Sequence, residues 1–236
     1  MEGENQLGPE ANEESGKERK ASKPNIICMV HAKRETTVWN LVALPLTSMI
    51  AVAAGGFVNA NMPFLLRDEQ YFNFQFSEVG DRTGTALFWA YLASTVVTPF
   101  LGYVYDTLGR FWFMIPSMFA LSFFLAILPF TAPHFWLLIF IRAAIAIIVN
   151  VISVNPLIID YVKNKSRGLV VSYMSIGFVL GELIMILMFS ITRSVSMPWQ
   201  YAVPAVLLAM MTSVLIFMIR EPKIKQWIPP QPVTDD

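Results

Sequence analysis

Charged residues fall so unevenly along this chain that they dictate its surroundings. Glu35 to Arg67 encloses 31 uncharged residues, Arg82 to Asp106 encloses 23, Arg110 to Arg142 encloses 31, and Arg193 to Arg220 encloses 26. Arg142 to Asp160 encloses 17 more, and from Arg167 to Arg193 the run is broken by Glu182 alone. A helix needs roughly 20 mostly apolar residues to cross the hydrocarbon core of a bilayer. Six such segments fit, at about 38–65, 83–104, 111–130, 134–159, 168–191 and 199–219. They are continuously apolar rather than alternating, unlike the strands of a membrane barrel. A backbone in lipid must also satisfy its own hydrogen bonds, which a helix does within one segment. The inner prolines Pro45, Pro99, Pro116, Pro156 and Pro204 are compatible with this, because membrane helices tolerate them. The fold class is therefore all-α membrane, a six-transmembrane-helix bundle.

Composition excludes other classes. Only 14% of residues are charged and 55% are hydrophobic, against about 25% charged in an ordinary soluble domain. Lys plus Arg and Asp plus Glu each number 17, so net charge offers nothing to attract nucleic acid. The single Cys28 cannot form an intramolecular disulfide or a multi-cysteine metal site. His31 and His134 are too isolated to bind a metal. No phosphate loop, nucleophile–base pair or zinc spacing is present, so neither an enzyme nor a cofactor is expected.

The charges that remain define the organisation. Residues 1–35 hold 13 of the 34 charges and are expected to form a solvated, disordered polar tail without the apolar core of a secretory signal. Residues 36–220 form the six-helix domain, and 221–236 a second tail, stiffened by Ile228-Pro-Pro-Gln-Pro232. With an even number of spans both tails lie on one side. That side carries 13 basic residues, against Arg67, Arg82 and Arg193 opposite. Basic residues concentrate on the cytoplasmic side, so both termini are expected there, in a membrane the sequence does not specify. The sequon Asn164-Lys165-Ser166 falls on that side and should carry no glycan. Trp39, Trp136 and Trp199, near span ends, suit the interfacial belts.

The loop between the second and third spans reads Gly102-Tyr-Val-Tyr-Asp106-Thr-Leu-Gly109-Arg110. Gly102 lets helices approach closely, Gly109 permits a tight turn, and Asp106 can meet an arginine or a helix N-terminus. This loop resembles the signature loop of the major facilitator superfamily, with Thr107 and Phe111 where that family often has basic residues. Asp160 to Arg167-Gly168, between the fourth and fifth spans, resembles the acid-x6-Arg-Gly loop of its sugar-porter branch. Glu221-Pro222 after the sixth span, and Arg142 early in the fourth, occupy matching places. The resemblance covers the amino-terminal six-helix half of a twelve-span fold. It implies that Gly102, Asp106, Gly109, Arg110, Asp160, Arg167 and Glu221 form a charged gate on the cytoplasmic face. Exposed pairs of this kind are worth about 1 kcal/mol each, a scale that lets both states of a switch stay populated. The competing explanation is positive-inside topology with solvated turns.

Two charges fall inside spans, Arg142 and Glu182. Burying either costs at least about 2.5 kcal/mol on insertion scales, so each is expected to face a cavity or a partner. Glu182 stands seven residues after Ser175, two helical turns on and on the same face. Ser175 occupies the place where many sugar porters carry a substrate-binding Gln, which leaves hexose specificity open. Candidate solute-binding residues are Arg142, Ser175, Glu182 and Asn150. Glu182 would bind a proton or a cationic group, with Arg142 as its counter-ion or as an anion contact; Glu182 could equally pair with a neighbouring helix for structure. Asn59, Asn61 and Asn155 are further polar candidates, and such amides serve as often as interhelical glue. Gly177-x-x-x-Gly181 is a small-residue packing pair.

These features point to transport of a small polar solute, with or without proton coupling. At 236 residues the chain supplies one six-helix half, so a fragment, or a half paired with a second half or a second copy, is expected. The alternative is a non-transporting membrane subunit or scaffold. The expected partners are membrane lipid, a small-molecule solute and a homodimeric or separate second half, with no nucleic acid.

Overall fold

The computed structural model describes residues 26–27, 30–33, 36–153 and 157–219, with backbone alone at Ile26, Ile27, Asp106 and Asp160. Glu221, Asn155 and most of both expected tails lie outside the described residues. Six helices are long and apolar enough to cross a membrane. They are α1 (Val38–Arg67), α2 (Phe76–Leu108), α3 (Arg110–Ile127, continued by a 3-10 turn at Leu128–Thr131), α4 (Phe135–Ser153), α6 (Arg167–Thr192) and α7 (Met197–Met218). Between α4 and α6 lie the four-residue helix α5 (Ile158–Tyr161) and a 3-10 turn at Asn164–Ser166. A two-stranded hairpin, β1 (Ile26–Ile27) and β2 (Val30–His31), precedes α1.

All six expected spans are present, with shifted ends. α2 begins at Phe76, ahead of the expected 83, because Glu78, Asp81 and Arg82 occupy exposed or half-exposed positions in its first turns. A helix can project past the hydrocarbon region while its charges stay wet, so a charge marks the membrane boundary rather than the helix end. α4 is described from Phe135 to Ser153; of the rest of the expected span, 154–156 lie outside the described residues and Ile158 onward belongs to a separate short helix. At the start of α1 the Thr37 N–H donates to the Asn40 Oδ1 at 3.1 Å, occupying one donor that the first helical turn leaves unpaired.

α1 is the most buried span, and it packs most extensively on α6; α2 packs chiefly on α4, and α3 on α7. This pattern has an internal symmetry. If α1, α2 and α3 are exchanged with α4, α6 and α7, the α1–α6 contact becomes α4–α2, α1–α7 becomes α4–α3, and α2–α3 becomes α6–α7, and each of these pairs is present. Nested three-plus-three repeats of this kind are a known way to build half of a membrane transporter.

The tightest seam is between α1 and α6. A methyl group added at Gly177 would overlap the carbonyl oxygen of Pro45, and one at Gly181 would lie 2.7 Å from that of Met49. Glycine at both places lets the two backbones touch, which is the packing role expected of this pair. One core runs through the bundle, from Leu44, Phe57 and Met62 of α1 through Met118 and Leu125 of α3 to Leu208 of α7. Large apolar side chains such as Phe88, Trp112, Phe140 and Phe217 point outward, as a lipid-facing surface requires.

Candidate functional site

Among the described residues, the interior of the bundle holds one buried cation. Arg142 follows Leu138 and precedes Ile145 on the buried stripe of α4, and it is only 2% exposed. Its Nη2 donates to the Oδ1 of Asn59 on α1 at 2.5 Å. Its Nε is buried and has no hydrogen-bond partner among the described residues, and the same holds for the hydroxyl of Tyr201 on α7. The phenols of Tyr91 on α2 and Tyr201 lie within electrostatic reach of the guanidinium. Tyr201 is fully buried and sits edge-on to Phe57, with ring centres 5.6 Å apart. The guanidinium thus joins α4 to α1 through a neutral amide. A buried arginine of this kind keeps unused hydrogen-bonding capacity, so it can exchange partners when the surroundings change.

A second polar link joins α4 to α2. The Asn150 Nδ2 donates to the Thr98 Oγ1 at 2.5 Å, and the Thr98 hydroxyl donates to the Ser94 carbonyl at 2.7 Å. Asn61 is buried and turns its amide back to the Phe57 carbonyl, a local bond that uses one of its two N–H donors.

The remaining candidates divide between two places. Ser175 and Glu182 share the exposed face of α6, where the Ser175 hydroxyl bonds its own helix at the Val171 carbonyl. Arg142 and Glu182 are therefore not brought together: one is buried and bonded to α1, the other is open on α6. The gate candidates gather where α2 meets α3 and where α5 leads into α6. Gly109 has φ 84°, a left-handed conformation suited to glycine, and this one residue separates α2 from Arg110 at the start of α3. Asp106 occupies the last turn of α2, Asp160 lies in α5, and Gly102 is exposed with open space around it. The end of α2 is held by Tyr105, whose hydroxyl donates to the Val151 carbonyl at 2.5 Å and whose ring meets Phe113 edge-on at 5.4 Å. Arg167 opens α6 with a buried Nε that has no hydrogen-bond partner among the described residues.

At the opposite end of the bundle, the Arg82 guanidinium lies over the rings of Phe74 and Phe135, at 5.1 and 5.4 Å from their centres. This cation–π pair fastens the 68–75 loop against the start of α4. In that loop, burial and the nearby Asp68 carboxylate push the Tyr71 phenol above its ordinary range, so it stays neutral. Sequence reasoning singled out Arg142 and Asn59 separately but not their pairing. It did not find Tyr91, Tyr201 or Thr98; a tyrosine or threonine inside an apolar run is the signal that marks such positions.

The model of the Major Facilitator Superfamily matches residues 43–233, which takes in nearly all of α1 and every later span. No curated protein matches the chain. Six helices able to span a bilayer, their three-plus-three packing and a match over most of the sequence agree: the chain belongs to the Major Facilitator Superfamily, a multi-pass membrane family whose work is solute transport.

Proposed function

We propose that the chain moves a small polar solute as one half of a major facilitator transporter, a second six-helix half being supplied by another copy or another chain. The observation that carries this reading is the Arg142–Asn59 centre, a buried guanidinium bonded across α4 and α1 inside an apolar bundle. A lone guanidinium in hydrocarbon is costly, and a bundle that served only as a membrane anchor could place a leucine there. Asn150, Ser175 and Glu182 complete the solute path, with Glu182 as the proton-binding or cation-binding group. The gate is of sugar-porter type and is formed by Gly102, Asp106, Gly109, Arg110, Asp160, Arg167 and Glu221. Domain limits follow the charge map: tails at 1–35 and 221–236, both cytoplasmic, around the membrane domain 36–220.

The test is uptake by proteoliposomes over a panel of neutral, anionic and cationic small solutes, with and without a pH gradient. Wild-type uptake of at least one class is expected, abolished by Arg142→Gln. Glu182→Gln should remove the response to the pH gradient. A well-folded protein without flux for any class would defeat the transport reading, and co-purification with a different membrane protein would then favour a non-transporting subunit. Glycosylation at Asn164 would reverse the orientation.

A further inference from the structure

The residues just ahead of α1 do more than lead into it. Ala32 pairs antiparallel with Val162, in the segment between α4 and α6. The Lys33 N–H donates to the Tyr161 carbonyl at 2.9 Å, and the Lys163 N–H donates to the His31 carbonyl at 3.0 Å. Side chains add three more bonds. The Ser166 Oγ accepts from the His31 N–H at 3.0 Å, the Lys33 ammonium donates to the Ile159 carbonyl at 2.7 Å, and the buried Thr36 hydroxyl donates to the Tyr161 carbonyl at 3.0 Å. Val30, Ala32 and Val162 are each 1% exposed or less, so the contact excludes water as well as pairing polar groups. The partners lie 125 to 135 residues apart in sequence.

The receiving segment has little structure of its own. It consists of four-residue α5 and a three-residue 3-10 turn, too short to hold a fixed shape unaided. Four of these five bonds land beside a gate residue, and the fifth, at Lys163, lies between the two. Lys33 grips the carbonyls of Ile159 and Tyr161, which flank Asp160 in the chain, and Ser166 immediately precedes Arg167.

We propose that residues 30–33 with Thr36 form a dissociable strap that positions the gate loop, with Lys33, Thr36 and Ser166 as positioning residues for Asp160 and Arg167. Docked, the strap holds both charges in register with the ends of α4 and α6; released, it frees the loop and weakens the closed gate. The inference rests on the gate reading given under Proposed function. It adds a control point that lies in the sequence before the first span.

The test uses the full chain in proteoliposomes, with Cys28→Ser and a reporter Val170→Cys at a buried position in the first turn of α6, just past the gate loop. A membrane-impermeant maleimide is added from the side that bears the N-terminus. Each lost hydrogen bond should shift the docking equilibrium roughly fivefold. Thr36→Val combined with Ser166→Ala should therefore raise the labelling rate at least fivefold and speed amide exchange at Val162 and Lys163 by a similar factor. Ser166→Thr, which keeps the hydroxyl, should restore both. Lys33→Met, at an exposed side chain that cannot disturb the core, should show a smaller rise in both. If Asp160→Asn accelerates labelling but none of the strap variants does, the gate stands and the strap inference falls. If Asp160→Asn leaves labelling unchanged, the gate reading fails, whatever the strap variants do to amide exchange.

Discussion

The α1–α6 seam and the outer face of α2 are both built on glycine, and they use it in opposite ways. At the seam, Gly177 and Gly181 lie against the carbonyls of Pro45 and Met49 with no room for a methyl group. On α2, Gly80, Gly84 and Gly102 have no neighbouring atom within 4 Å of where a side chain would begin. Gly80 and Gly84 repeat the four-residue spacing of Gly177 and Gly181, so the two pairs look alike in sequence. The difference is whether another backbone arrives. Small residues permit close approach in a membrane, but only van der Waals contact with a partner turns that permission into stability. The seam is therefore a fixed part of this bundle, whereas the face of α2 is a surface available to lipid or to a second half.

The largest effect should come from filling the seam. Gly177→Ala places a methyl group on the Pro45 carbonyl oxygen, a backbone atom that cannot swing aside, so α6 must move off α1. Overpacking of this kind costs about 3 kcal/mol or more when the clash is with backbone. A lowered denaturation midpoint in detergent micelles is the readout, and an unchanged midpoint would show that the seam is looser than described. Gly181→Ala should cost less, about 1–2 kcal/mol, because its methyl group would lie 2.7 Å from the Met49 carbonyl oxygen, where the one at Gly177 would overlap that of Pro45 more deeply. Equal losses for the two variants would mean that α6 shifts as a rigid rod and does not yield locally.

The inner face of α2 contributes in another currency. Tyr105→Phe removes one buried hydroxyl and its bond to the Val151 carbonyl while leaving the ring on Phe113. The expected loss is about 1 kcal/mol, part of it from the carbonyl left without that donor. The same midpoint measurement checks it. A loss as large as that of Gly177→Ala would show that the two α2 faces do not divide the labour as described.

What the chain announced in advance, and what it did not, follows the range of each interaction. The six spans were legible because the cost of charge in hydrocarbon applies residue by residue. The start of α2 was not, because Glu78, Asp81 and Arg82 can stay helical once they stand clear of the hydrocarbon. The Gly177–Gly181 pair was legible as packing, since its spacing puts both on one helix face; that α1 would receive it was not. Arg142 stood out as a charge in a span, but its partner Asn59 lies 83 residues away. Only the convergence of α1 and α4 brings them together. The strap left the weakest trace. Most of its bonds use the main chain on at least one side, and a polar, charged stretch reads as solvated whether or not its backbone is paired. Among the proposed solute-path residues, Ser175 and Glu182 were chosen for sharing a face, and they do share the exposed face of α6.

The smallest effect on stability, and the most informative about assembly, should come from the open glycines. Gly84→Ala adds a methyl group to empty space in a helix interior, where alanine is favoured over glycine by at most about 1 kcal/mol. The denaturation midpoint should stay level or rise slightly, and Gly84→Leu should also fold, because nothing in the bundle opposes it. If the face of α2 receives a second half, the leucine blocks close approach there while the alanine is tolerated, so uptake falls with leucine and survives with alanine. Mass measurement in mild detergent supplies the matching readout, a shift from the paired to the single species in Gly84→Leu. Should Gly84→Leu destabilise the isolated chain as strongly as Gly177→Ala does, the face of α2 is already packed and its contrast with the seam disappears. Should it change neither stability, mass nor uptake, the face meets lipid, and the second half must be sought on α6, whose exposed Ser172, Ser175 and Glu182 form the other open polar surface.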